Sequence, residues 1–215
     1  MFVANRMAKN PVTVTPDTKV DEAAALMKQH GFRRLPVVKD GQLVGFLNDK
    51  DIMRTSPSQA TTLSKYEIAS LLAKLCIRDI MQKKVITVRD DATIEEAALI
   101  MYNNKIGGLP VVSSVGAVVG VITETDIFKA FVDVMGLAEG TTRITIEVDN
   151  KVGVVEDIAS VFAAAGLNID SLVTCKKPSG KYEIVIRGAF PQTDAIKDKL
   201  ESKGYMVVHT VRIGK

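Results

Sequence analysis

The 215-residue sequence predicts a mixed α/β (α+β) chain in which one short βαββ unit occurs twice and pairs with itself about a pseudo-twofold axis. A separate β-α-β-β-α-β domain follows. Three observations predict this. Residues 7–54 align with 81–129 with a single inserted residue near Val115–Gly116, and more than a third of the aligned positions are identical, which marks an internal duplication. Hydrophobic residues make up 47% of the chain, enough for a real core and too many for a disordered one. From Arg143 the pattern changes to alternating strands and two amphipathic helices in the ferredoxin-like order. The expected boundaries are 1–60 for the first copy, 61–137 for a linker helix and the second copy, and 138–215 for the C-terminal domain.

Each copy repeats the same elements. A short β-rich piece comes first, "VTV" at 12–14 and "ITV" at 86–88. An amphipathic helix follows. Val20, Ala23, Ala24 and Met27 fall at i, i+3, i+4 and i+7, as do Ile94, Ala97, Ala98 and Met101. Thr93-x-x-Glu96 is a capping-box pattern; Thr18-x-x-Asp21 is one position out of register. "LPVV" then reads as a buried strand led by Pro36 or Pro110. A turn leads to a second strand, "LVGFL" or "VVGVI", and "NDKDIMR" or "TETDIFKAF" opens another helix. A unit of this size buries too little surface alone, so two copies packed together solve the problem and leave a cleft between them.

Between the copies, "TSPSQATT" is turn-like and "LSKYEIASLLAKLCIRDIM" is broadly apolar. Tyr66, Ala69, Ser70 and Ala73 form one stripe, and Ile68, Leu71, Leu72 and Leu75 another. This suggests a helix buried against the pair or a second subunit. A DNA-reading helix would need a basic face, and only Lys65, Lys74 and Arg78 are on offer. In the C-terminal third, "RITIEV" alternates as a strand. The helix after "DNKVG" places Ile158, Val161, Phe162 and Ala165 on one face and stops at Gly166. "NIDSLVTCKK" and "KYEIVIRG" are strands joined by "PSG"; "TDAIKDKLESKG" is a helix and "YMVVHTVRI" a final strand.

Composition excludes several function classes. A net charge of +3 gives no global case for nucleic acid or a membrane surface. No apolar run reaches transmembrane length, and the opening "MFVANRMAKNP" lacks a signal-peptide core, so a cytoplasmic protein is expected. Cys76 and Cys175 stand alone, without the spacing of a disulfide framework or zinc site. His30 and His209 are far apart, and no P-loop or GxGxxG is present, so an enzyme is not expected and no cofactor or metal is required.

The "EAA…M" helix, "LPVV" and G-x-x-[T/N]-x-x-D pattern of residues 1–135 resembles the CBS motif, and its duplication resembles the CBS pair of the Bateman module. The resemblance implies a regulatory site for an adenosine-containing ligand such as AMP, ADP, ATP, NAD or S-adenosylmethionine. The residues suit that chemistry. Thr123-x-x-Asp126 lies where a strand enters a helix, and free N–H groups there favour phosphate. A carboxylate can accept from adjacent ribose hydroxyls, as in dinucleotide folds. The resemblance assigns Thr123 to phosphate and Asp126 to ribose. The alternative is that Thr123 caps the helix and Asp126 favours its dipole. In the first copy Asp51 is kept and Asn48 stands for Thr123. Arg33 and Arg34 suit phosphate or are solvated surface charge, whereas Gly107 and Gly108 leave room for close backbone approach. The two clefts are therefore expected to differ. By resemblance, the backbone around Thr13, Val14, Thr87 and Val88 faces adenine, with Gly108 and Pro110 nearby; strand core is the competing explanation.

The C-terminal order with "VDNKVGVVEDIASVFAAAGLNID" resembles the ACT domain, a regulatory module that often binds amino acids between two copies. Val152 stands where the usual turn has proline, although Gly153 is kept. The backbone at Asn150, Gly153 and Val154 is a candidate carboxylate site or simply a structural turn. Exposed sheet edges suggest that the module pairs two subunits. A CBS pair followed by an ACT domain resembles the acetoin-utilisation regulatory proteins of bacteria. The expected function is nucleotide sensing in a homodimer that acts on an unidentified target protein. The alternative is a scaffold that dimerises without any ligand.

Overall fold

The computed structural model describes residues 1–55, 74–137 and 142–212. The chain divides into two compact units, Met1–Ile127 and Phe128–Lys215. The first copy contributes β1 (Ala8–Lys9), α1 (Val20–His30), β2 (Arg34–Lys39), β3 (Gln42–Asn48) and α2 (Asp49–Thr55). After α3 (Ile77–Ile80), the second contributes β4 (Val88–Arg89), α4 (Ile94–Asn104), β5 (Gly108–Val112), β6 (Val118–Thr123) and α5 (Glu124–Val134). The expected linker helix, with its stripes Tyr66, Ala69, Ser70, Ala73 and Ile68, Leu71, Leu72, lies outside the described residues.

The helical periodicity places the expected faces inward. Val20, Ala23 and Met27 pack with Leu35, Val37, Leu47 and Ile52. In the second copy Ile94, Ala97, Met101, Leu109 and Ile122 are buried. Thr93 and Glu96 form the full capping box of α4, whereas α1 starts at Lys19 without a side-chain cap. Both β-hairpins turn through a glycine of positive φ, Gly41 and Gly116, which an L side chain would strain. Both shift register at equivalent places, between Val37 and Val38 and between Val111 and Val112.

The copies exchange their leading segments. β1 pairs antiparallel with β6 of the other copy, Ala8 opposite Val121. At the equivalent place Gln82 exchanges two backbone hydrogen bonds of 3.0 Å with Phe46 in β3. Two glycines make room for this. A Cβ at Gly120 would overlap the Sδ of Met7, and a Cβ at Gly45 the Sδ of Met81. Each methionine thus seats on the bare backbone of the opposite hairpin, which brings the strand ends of one copy against the entry segment of the other.

In the second unit, β7 (Thr142–Val148), α6 (Val154–Ala164), β8 (Ser171–Lys176), β9 (Tyr182–Gly188), α7 (Thr193–Ser202) and β10 (Met206–Arg212) follow in the expected order. They form an antiparallel sheet β10-β7-β9-β8. Ile144, Ile146, Ile184 and Ile186 of the central strands pack on Ile158, Phe162, Ile196 and Leu200 of the helices. One expected face residue does not join. α6 ends at Ala164, and the Ala165 N–H turns to the carbonyls of Val161 and Phe162, which leaves Ala165 exposed before Gly166.

Candidate functional site

The exchange creates two clefts of matching construction. The larger, about 490 Å³, joins Phe46, Asn48 and Asp51 of the first copy to Lys84, Val85 and Ile86 of the second. Ile106, Gly107 and Gly108 close it. The smaller, about 280 Å³, joins Val121 and Thr123 of the second copy to Asn10, Pro11 and Val12 of the first, with Phe32 opposite. These are the same positions after the copies are interchanged. Arg33 and Arg34 line both clefts.

Lys9, Arg33 and Arg34 line the smaller cleft without a carboxylate, so both linings are net positive, and the larger differs in its size and in the number of its charged groups. The lining of the larger carries six cationic side chains, Arg33, Arg34, Lys50, Arg54, Lys84 and Lys105, against three carboxylates, Asp49, Asp51 and Glu124. A net positive cleft with an apolar slot at Val85, Ile86 and Ile106 suits an anionic ligand that carries a flat apolar group. Arg34 is held below the usual guanidinium range, first by burial and then by Arg33, while Glu124, Asp49 and Asp126 push the other way. A guanidinium stays charged through any such shift.

The equivalent aspartates of the two copies act first as helix caps. Asp51 Oδ2 accepts the Asn48 N–H at 3.0 Å, and Asn48 Oδ1 accepts the Asp51 N–H at 3.0 Å. Gln82 Nε2 lies 3.4 Å from the same carboxylate oxygen. Asp126 Oδ2 accepts from the Thr123 N–H at 2.8 Å and from its hydroxyl at 2.7 Å. The capping geometry therefore uses one oxygen of each carboxylate. Asp51 Oδ1 lies 3.9 Å from Arg54, outside hydrogen-bond range, and keeps its accepting capacity.

The structure brings Arg33, Arg34, Asn48, Asp51 and Gly108 together in the larger cleft and places Thr123 in the smaller. Asp126 stands beside Thr123 but does not line either cleft, and the Thr123 hydroxyl proton is already given to it. Thr13, Val14, Thr87 and Val88 line neither cleft. Val14 and Val88 are buried in the core, where each bonds into the sheet of its own copy. Pro110 is buried opposite Val121. The segments that face the clefts are one to three residues earlier, at Asn10–Val12 and Lys84–Ile86. Val12 and Ile86 open the "VTV" and "ITV" segments that the sequence pointed to, whereas Asn10, Pro11, Lys84 and Val85 were missed, together with Lys105, Glu124 and Gln82. Their signal was the equivalence of "KNPV" and "KKVI" just before each strand.

In the C-terminal unit Asn150, Gly153 and Val154 meet at a shallow cleft of about 270 Å³ that Asp149 and Glu156 also line. Gly153 takes φ 86, a left-handed conformation that suits glycine, and its carbonyl accepts the Asp157 N–H at 2.9 Å to start α6. The Val154 N–H points back to the Lys151 carbonyl at 3.4 Å. The turn is thus tied into the helix start, and Lys151 lines the same cleft beside the two acidic side chains.

Comparison with known proteins decides the family. The CBS domain model matches residues 3–58 and 77–133, together more than half of the chain, and the ACT domain model matches 142–204. The chain is a tandem CBS-domain protein with a C-terminal ACT domain. Its CBS pair is 32% identical over 126 residues to an uncharacterized protein of Methanocaldococcus jannaschii, 58% of this chain and 45% of that one. It is 38% identical over 120 residues to an inosine-5'-monophosphate dehydrogenase of Korarchaeum cryptofilum, 56% of this chain and 22% of the enzyme. The chain thus covers less than half the length of either relative, and the likeness to the dehydrogenase lies in the CBS part.

Some solved structures similar to the CBS pair carry adenosine compounds. Arabidopsis thaliana CBSX2 in complex with AMP is 28% identical with a TM-score of 0.51, covering 61% of this chain and 96% of CBSX2. A CBS domain pair in complex with 5'-methylthioadenosine and S-adenosyl-L-methionine is 30% identical with a TM-score of 0.51, covering 61% of this chain and 95% of that one. A Vibrio cholerae protein assigned to acetoin utilization is 26% identical with a TM-score of 0.52, covering 64% of this chain and 94% of its own. Among the described residues, no helix is long and apolar enough to cross a membrane.

Proposed function

We propose that this chain is a non-catalytic regulatory protein whose CBS pair senses a phosphorylated adenosine compound in the larger cleft. The observation that carries the reading is the convergence there of Asp51, an apolar slot and six cations contributed by both copies. The adenine lies in the slot formed by Val85, Ile86 and Ile106. The ribose hydroxyls donate to Asp51 Oδ1, and the phosphate meets Arg33, Arg34 and Lys84. The smaller cleft, with Thr123, takes ligand less well, because it is smaller and Asp126 is turned to Thr123 rather than lining it. The complexes of similar CBS pairs with AMP and with S-adenosyl-L-methionine support the ligand class. AMP, ADP, ATP, NAD and S-adenosylmethionine are the candidates.

The ACT domain adds a pairing surface, with β8 and β10 at the sheet edges, rather than an amino-acid site at Asn150, Gly153 and Val154. In this reading the protein works as a cytoplasmic homodimer on a target protein of acetoin-type carbon metabolism, a role that the likeness to the Vibrio protein supports. A second reading, a ligand-free scaffold, is favoured by one observation: both aspartates are already bonded within their own copies. A thermal-shift panel of the five candidates decides between the readings. A ligand at 100-fold over its Kd stabilises by about 2.7 kcal/mol, which is several degrees for a domain of this size. Asp51→Ala abolishes most of that shift, whereas Asp126→Ala leaves most of it. No shift with any of the five favours the scaffold.

A further inference from the structure

We propose that Arg34 is a single anion grip shared by both clefts, so that the CBS pair holds one phosphorylated ligand at a time. This rests on the adenosine-phosphate reading above and adds its stoichiometry. Arg34 lines both clefts. Its guanidinium lies across the backbone of Gly107 and Gly108: a Cβ at Gly107 would stand 2.5 Å from Nη2, and one at Gly108 2.9 Å from Nε. Gly108 is the repeat equivalent of Arg34 itself. A residue that touches its own equivalent sits at the pseudo-twofold axis, where two arginines would collide. The duplication therefore keeps the guanidinium in one copy and glycine in the other.

The surroundings of this cation are balanced in the same way. Asp49 and its repeat equivalent Glu124 act on it from opposite copies, and Glu124 Oε2 reaches to 2.8 Å from the position of a Gly107 Cβ. Among the described residues, the Arg34 guanidinium makes no hydrogen bond and no ion pair within 4.0 Å, although its backbone pairs with Asn48 in the β2–β3 ladder. Nothing fixes it to one side. A phosphate in either cleft captures it and leaves the other cleft with Arg33 but without the guanidinium on the axis.

Isothermal titration of the full chain with AMP, adenosine and pyrophosphate tests this. One AMP binds per chain. Arg34→Ala weakens AMP by about tenfold or more, the worth of one charge-assisted contact, and leaves adenosine unchanged. The transposed variant, Arg34→Gly with Gly108→Arg, restores AMP binding at one per chain and shows that loss in the single variant is not misfolding. Two equal, independent AMP sites overturn the proposal, as does an Arg34→Ala variant that weakens adenosine as much as AMP. If neither AMP nor adenosine binds, the adenosine reading fails and pyrophosphate still decides the shared grip. One pyrophosphate per chain, lost in Arg34→Ala, supports it; two, none, or one unaffected by the substitution overturns it.

Discussion

At the scale of single residues, the CBS pair is organised by contacts between unlike partners repeated twice. Met7 rests on Gly120 and Met81 on Gly45, so each glycine is fixed by a side chain from the other copy. Gly120→Ala inserts a methyl group where Met7 Sδ already sits, and overpacking of this kind costs about 1–3 kcal/mol. Urea unfolding checks the value. Met7→Ala in the Gly120→Ala background costs less than in the wild-type chain, because the two changes relieve one contact. The caps were legible in the sequence, since Asn48 with Asp51, Thr123 with Asp126 and Thr93 with Glu96 are local pairs three residues apart. The methionine–glycine contacts were not, although all four residues are repeated: their partners lie 36 or more residues apart, and only the exchange of segments joins them. Thr13, Val14, Thr87 and Val88 illustrate the same limit. Only Val88 lies in a strand and Val14 in an isolated bridge, whereas Thr13 and Thr87 lie in neither, and the cleft faces the residues just before them.

At the scale of elements, the repeat and the C-terminal β-α-β-β-α-β order were both legible, because hydrophobic period survives in α1, α4, α6 and α7. Pairing across copies was not legible, since β1 has only two residues and borrows its stability from β6. In the ACT sheet, Glu147 of β7 accepts Lys177 Nζ at 2.6 Å and Lys181 Nζ at 2.9 Å, which fastens the β8–β9 turn to the sheet. These two ammonium groups lower its carboxyl from the ordinary 4.5 to about 2. A depressed folded-state value means that the unfolded chain takes up the proton first. The stabilisation is therefore complete above about pH 4.5 and is lost as pH falls towards about 2. Urea midpoints of the wild-type chain drop across that window, more weakly at high salt because the lysines are half exposed. Glu147→Gln has a lower midpoint at pH 6 and a shallower drop.

At the scale of the whole molecule, duplication converts a marginal βαββ unit into a CBS pair with two clefts built from equivalent residues. The clefts diverge where the copies diverge, at Arg33 and Arg34 against Gly107 and Gly108, and at Asn48 against Thr123. That divergence leaves one guanidinium on the axis, where it lines both clefts. Self-association is a prediction at this scale: Met53, Leu99 and Tyr102 are exposed apolar side chains on helices of the CBS pair, and light scattering of the full chain is expected to give twice the 23.3 kDa monomer mass. The measurement that bears most directly on the central claim is a crystal structure of the chain grown with AMP. Density in the larger cleft, with ribose oxygens on Asp51 Oδ1, adenine between Ile86 and Ile106 and phosphate on Arg34, is the predicted result. An empty larger cleft, or AMP bound elsewhere with Asp51 and Arg34 untouched, contradicts it.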